Sequence, residues 1–231
     1  MLLARTDWDA PKHHGISYFL LDMTAAGIDV RPLRQMTGES HFSEVFLDDV
    51  RVPAGNLLGT AGEGWRVART TLTSERSSIA GGTGANPKGL IELARRWGRA
   101  GDPVLRQALV DAHVRSELLR FLGYRSQTAL SQGRQAGPEA SVMKLAYGRY
   151  MKALTETAIA ARGAAGMLGR TGEPTGEDMW LRRFLHAPSL RIAGGSDQVQ
   201  ANIVAERALG LPREPRDDRD RPFRETVTAP H

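Results

Sequence analysis

Residues 191–214, RIAGGSDQVQANIVAERALGLPRE, constrain this chain most, because they mark where one helix must begin and end. Gly194 and Gly195 interrupt the preceding segment, and Ser196 and Asp197 each carry an oxygen able to cap the N–H groups of a new helix. Val199, Ile203, Val204 and Leu209 fall on roughly one helical face, and Gly210 followed by Pro212 ends it. Two glycines feeding a helix N-terminus let a ligand approach backbone N–H donors closely, which suits an anionic or carbonyl-bearing group. The same turn also occurs where nothing binds.

Upstream, residues 16–57 read as strands and turns. GISYFLLDM is a short apolar run, Ala25-Ala26-Gly27 supplies a turn, and residues 28–33 alternate with Ile28, Val30 and Leu33 to one side. SEVFLDDVRV, residues 43–52, is expected to be extended up to Pro53. Three or four such strands leave edges and an apolar face uncovered, so a chain opening on them is expected to be part of something longer.

From Gly62 the residues become helix formers. Trp65, Val67, Ala68, Leu72 and Ile79 predict a buried stripe, and further helices are expected at 87–97 and 102–130. In the longer one Leu105, Leu109, Ala112, Leu119 and Leu122 mark one face, while Val110, Val114, Leu118 and Phe121 widen it. A surface that broad implies packing on more than one neighbour. Another long helix starts at Pro138 or Glu139 and runs through Val142, Leu145, Leu154 and Ile159 to RGAAGMLG; a shorter one covers 176–186. The class is α+β, mostly α. Residues 213–231 are charged and proline-punctuated and are expected to be a disordered tail.

Composition narrows the function. Of 231 residues, 41% are hydrophobic and 25% charged, in the globular range. The 31 Lys and Arg against 26 Asp and Glu give a net +5, but the arginines are spread along helices, which disfavours nucleic acid and suits small anions. With no cysteine there is no disulfide, thiolate chemistry or Cys-ligated metal. His113 and His186 lack partners at metal-ligand spacing, and Trp180 reads as packing. No run is long and apolar enough to span a membrane, and MLLARTDWDAPKHH lacks a secretory core, so a cytoplasmic location is expected.

Three segments together resemble the acyl-CoA dehydrogenase family: SHFSEVFLDDVRVPAGNLLGTAGEGWRVARTTLTSER, the long-helix pair ending in RGAAGMLG, and AGGSDQVQANIVAERALGLPRE. Their order and spacing identify the chain as a member up to about Glu214. The resemblance implies a partial antiparallel middle β domain at 1–58, a C-terminal four-helix bundle at 59–212 and the tail at 213–231. The family's N-terminal helical domain and the rest of the β domain are expected to be missing. It further implies FAD held between subunits, an acyl-CoA substrate oxidised to the 2-enoyl-CoA in fatty-acid and lipid metabolism, and homo- or hetero-oligomers. The implied electron acceptor is an electron-transfer flavoprotein. The alternative expectation is a non-catalytic partner subunit that completes the FAD site of another dehydrogenase chain.

The resemblance also distributes roles. Many members carry the proton-abstracting glutamate where this chain has Gly194-Gly195-Ser196, and glycine cannot take a proton. Isovaleryl-CoA dehydrogenase and some long-chain members instead place it just before an arginine in the first bundle helix, which here reads Glu75-Arg76. Glu75 is the implied base, needing a water-poor site and a polarised thioester; periodicity alone reads the two residues as a surface pair. Arg76 and Thr73 are the implied substrate contacts. Ser196, Asp197 and Gln198 match the segment that touches FAD at the helix start. Gly163, Ala164 and Gly166 match a glycine turn approaching the dinucleotide of a neighbouring subunit, or simply cap a helix. Arg95, Arg96 and Arg99 stand near a poorly kept phosphate-binding motif, with Arg96 the implied contact, or form a solvated helix face.

Overall fold

A computed structural model describes residues 1–80, 87–134, 139–169, 176, 178–215 and 218–226; the side chains of residues 73–80 and 139 lie outside the description. The chain divides into two compact units, Met1–Ser74 with Arg213–His231, and Glu75–Pro212. The division falls later than the expected 58/59 boundary, inside helix α1, named below.

In the first unit β1 (Leu2–Arg5) pairs antiparallel with β2 (Ile16–Phe19), and β3 (Ile28–Leu33) with β4 (Phe42–Leu47), as two separate ribbons. β1 was not legible in the sequence, and β4 stops at Leu47, short of the extended run expected through Val52. Ser17 and Tyr18 of β2 are buried. The Ser17 hydroxyl lies 2.7 Å from Thr6 Oγ1 and accepts from the Gly62 N–H at 3.0 Å. α1 (Gly64–Ala80) therefore starts directly against β2. A Cβ on Gly64 would lie 2.4 Å from the Ser17 carbonyl carbon and 2.5 Å from the Tyr18 nitrogen.

The expected disordered tail is corrected at residues 218–226. Its short helix, Phe223–Thr226, seats Phe223 5.5 Å from Trp8 and beneath the Arg5 guanidinium at 3.7 Å. Asp218 pairs with Lys12 at 2.5 Å and Arg224 with Asp9 at 2.7 Å. Charge and proline content misled here because the anchors are one aromatic ring and opposite charges more than 200 residues distant.

The second unit is helical: α2 (Pro87–Arg96), α3 (Pro103–Ser131), α4 (Glu139–Arg162), α5 (Asp178–His186) and α6 (Asp197–Arg207). With Phe223–Thr226 as α7 of the first unit, the mostly helical α+β class stands. α4 packs against each of the other four helices of its unit. Its alanines and small residues allow that approach, and the core joins Leu90, Leu93, Leu105, Leu109, Leu154 and Trp180. α3 starts where Pro103 follows Asp102, whose carboxylate accepts from the N–H groups of Val104 and Leu105. A bond from Arg99, then those backbone donors, hold its carboxyl below the usual carboxylate range. The inward face of α4 differs from the periodicity reading. Ser141, Lys144, Gly148, Met151, Thr155 and Ala158 are buried, whereas Val142, Leu145 and Ile159 are half-buried.

Two glycines separate close approach from mere helix flexibility. Gly64→Ala should cost about 1–3 kcal/mol, because backbone rather than a movable side chain blocks the methyl. Gly123→Ala, inside α3 with nothing within 4 Å, should add about 0.5–1 kcal/mol. Urea denaturation midpoints of the two variants should move in opposite directions.

Candidate functional site

The glycine pair before α6 lies in the second unit and is built as an inverted turn. Gly194 and Gly195 have φ of 66° and 98°, in the left-handed region that glycine alone adopts without penalty. Ser196 caps α6, accepting from the Val199 N–H at 3.3 Å. Asp197 does not share the cap as the sequence suggested: its Oδ2 accepts from Arg191, 2.6 Å from Nη2 and 2.8 Å from Nε, with Arg149 at 3.9 Å.

Both glycine carbonyls are tied down. Gln200, fully buried, donates from Nε2 to the Gly194 carbonyl at 2.8 Å. Lys144, 1% exposed on α4, donates from Nζ to the Gly195 carbonyl. A peptide plane is trans, so a carbonyl drawn one way sends the next N–H the other way. The N–H groups of Gly195 and Ser196 are thereby turned away from Gln200 and Lys144. Beside them stand the first N–H groups of α6, which have no intrahelical acceptor.

Electrostatics favour an anion. Arg149 and Arg191 lie against one carboxylate, Asp197, at the positive end of a helix, and Lys144 bonds the neighbouring Gly195 carbonyl. Two buried acceptors here, Asp197 Oδ1 and Gln200 Oε1, have no hydrogen-bond donor among the described residues. An unmet buried acceptor is costly, and donor groups of a ligand would relieve it.

The other implied cofactor residues stand elsewhere. Gly163 (φ 59°), Ala164 and Gly166 follow the C-terminus of α4, about 28 Å along that helix from Lys144. Gly166 is packed so that a Cβ would meet the Ile159 carbonyl at 2.6 Å. Arg162 lies over the Trp97 ring at 5.8 Å, which puts the α2 terminus, with exposed Arg96, at that same end of α4. Arg99 is paired with Asp102 at 2.8 Å. One copy of the chain thus holds two separated groups, Gly194–Gln200 and Arg96 with the 163–166 turn. Gln198 is exposed at the start of α6. Thr73, Glu75 and Arg76 lie on the α1 backbone, but their side chains fall outside the described residues.

Sequence reasoning missed Lys144, Gln200, Arg149 and Arg191. It laid the inward face of α6 on Val199, Ile203, Val204 and Leu209; Ile203 and Val204 are half-buried, but Val199 and Leu209 are 49% and 68% exposed, and Asp197 and Gln200 are the buried positions. For Lys144 the signal was present. It shares one helical face with Ser141, Gly148, Met151 and Thr155, and a lysine in register with core positions is itself a marker.

Comparison with known proteins gives these residues a context. The family model for "Acyl-CoA dehydrogenase, C-terminal domain" matches residues 62–209. Acyl-CoA dehydrogenase IpdE1 of Mycolicibacterium smegmatis is 38% identical over 217 residues, 92% of this chain and 53% of that protein. Acyl-CoA dehydrogenase FadE34 of Mycobacterium tuberculosis is 43% identical over 216 residues, 91% of this chain and 29% of that one. Among solved structures, the Tcur3481-Tcur3483 steroid ACAD aligns with a TM-score of 0.77 at 26% identity, covering 92% of this chain and 56% of that one. The chain therefore spans about half or less of the length of these relatives.

Asp197→Ala should lower stability by about 1–3 kcal/mol, since it strips the partner from Arg191 within a largely buried contact. Arg149→Ala, at an exposed 3.9 Å pair, should change it by less than about 0.5 kcal/mol. Thermal unfolding of the two variants checks the contrast.

Proposed function

This chain belongs to the acyl-CoA dehydrogenase family, whose C-terminal domain it carries, and on that premise we propose that it serves FAD-dependent α,β-dehydrogenation of an acyl-CoA thioester. The observation that carries the proposal is the anchored glycine pair, with its carbonyls held by Lys144 and Gln200 and its N–H groups directed away from those two side chains. Those residues fit FAD. These N–H groups and the neighbouring cations suit its diphosphate or flavin carbonyls, and its hydroxyl and N–H donors suit Asp197 Oδ1 and Gln200 Oε1. Ser196, Asp197 and Gln198 would hold the cofactor here; Arg96, Gly163, Ala164 and Gly166 would hold the dinucleotide of another copy.

When bound, FAD supplies the two-electron acceptor that takes the β-hydrogen as hydride. The chain's own part is the proton. Glu75 removes the α-proton as the α,β double bond forms, because Gly194 occupies the position where many relatives carry the base. Thr73 and Arg76 orient the thioester, and Lys144 and Gln200 act as positioning residues through the turn. An electron-transfer flavoprotein is the proposed onward acceptor.

A second reading is a partner subunit that completes the flavin site of another dehydrogenase chain. It is favoured by the glycine at position 194 and by solved two-chain relatives, including the ChsE4-ChsE5 complex from Mycobacterium tuberculosis, with a TM-score of 0.73 at 25% identity, covering 92% of this chain and 57% of that one.

One substitution separates them. In the flavin-loaded protein or its co-purified complex, Glu75→Gln should keep the yellow flavin spectrum yet slow acyl-CoA-dependent bleaching by at least about 100-fold. Unchanged bleaching would assign the base to another chain, and a colourless preparation would remove the flavin role altogether.

A further inference from the structure

One loop of the first unit carries a strained residue, and the C-terminal segment of the same unit holds it in place. Among the described residues only Lys12 and Asp49 combine a side chain with a positive φ, and Lys12, at 26°, is where other contacts converge. A lysine in that region persists only where its surroundings fix it at several points. Arg5 donates from Nη2 to the Lys12 carbonyl, and the Lys12 ammonium pairs with Asp218 at 2.5 Å. The Arg5 guanidinium lies in turn over the Phe223 ring at 3.7 Å. Both restraints on Lys12 therefore lead to residues 218–223.

The other side of this loop meets α1. His13, next to Lys12, stacks on Trp65 with ring centroids 4.6 Å apart and planes 9° from parallel. The His14 carbonyl lies so close to Gly62 that a Cβ there would sit 2.6 Å away, and Ile16 bridges to Glu63. We propose that residues 218–226 are a detachable strap. Seated, it holds Lys12 in its left-handed conformation and keeps His13 on Trp65; released, it lets the loop relax and frees the first turn of α1.

The contacts that seat the strap are few and open to water. The Lys12 and Asp218 side chains are 35% and 34% exposed, Arg224 and Asp9 more than half, and Trp8 51%. Two backbone bonds complete the seat, from the Phe223 N–H to the Ala10 carbonyl at 3.3 Å and from the Arg224 N–H to the Trp8 carbonyl at 3.1 Å. Contacts of this kind open well below the free energy of global unfolding. Residues 211–215, which feed the strap, are exposed and in no helix or strand. α1 continues without a break to the backbone of Thr73, Glu75 and Arg76, so the strap acts on the near end of the helix that carries the proposed base. The inference does not rest on the flavin reading, and its test reads no flavin.

Hydrogen exchange on the full chain, followed amide by amide, tests the strap. The amides of His14, Phe223 and Arg224, each bonded to a carbonyl, should be protected in the native chain. Phe223→Ala should speed all three by at least about tenfold, and the Arg66 and Val67 amides of α1 by at least about threefold, while those of α4 stay unchanged. Asp218→Lys should act in the same way, and adding Lys12→Asp, which restores the pair with its charges exchanged, should return the amides to native rates. Acceleration confined to 218–226, equal acceleration in α4, failure of the exchanged pair to restore protection, or unprotected Phe223 and Arg224 amides in the native chain would each overturn the proposal.

Discussion

The candidate site depends on a lysine side chain sealed inside a helical core. Taking a polar group out of water without a hydrogen bond is costly, and Lys144, at 1% exposure, bonds the Gly195 carbonyl through its Nζ. That bond ties the middle of the second unit to the start of α6. It also sets the direction of a peptide plane, so a packing feature of α4 decides which way the Ser196 N–H points. Gln200 does the same for the preceding plane from within α6. A turn in left-handed backbone would otherwise sample several orientations; two side-chain donors reduce them to one.

Organisation around α4 also separates two groups of residues that a family pattern would assign to one cofactor. The glycine pair lies near the N-terminal half of this helix, and Arg162, Trp97 and the Gly163 turn at its far end. A helix of 24 residues is too long for one dinucleotide to be held by both ends within a single copy.

Much of this was legible in the sequence because it rests on local rules. The helices at 87–96, 103–131, 139–162 and 197–207 follow from capping residues, glycines and prolines, and Leu105, Leu109 and Ala112 were found by period alone. What was not legible depends on partners distant along the chain. β1 is held by pairing with β2 rather than by its own four residues, and α7 by Trp8, Arg5 and Asp9. The inward face of α6 was misplaced because an apolar-periodicity reading gives no weight to Asp197 or Gln200, which are buried by hydrogen bonding rather than by hydrophobicity. Lys144 was passed over for the same reason. The base Glu75 rests on resemblance, since helical spacing alone describes it equally well as a surface residue.

The orientation of the Gly194–Ser196 peptide planes is the claim on which the flavin reading stands. Amide hydrogen exchange on the full chain, with and without FAD, tests it directly. If the anchored turn presents its N–H groups to the cofactor, the amides of Gly195, Ser196 and the first turn of α6 become protected when FAD binds, and Lys144→Met abolishes that protection. FAD binding that leaves those amides exchanging as before would contradict the account.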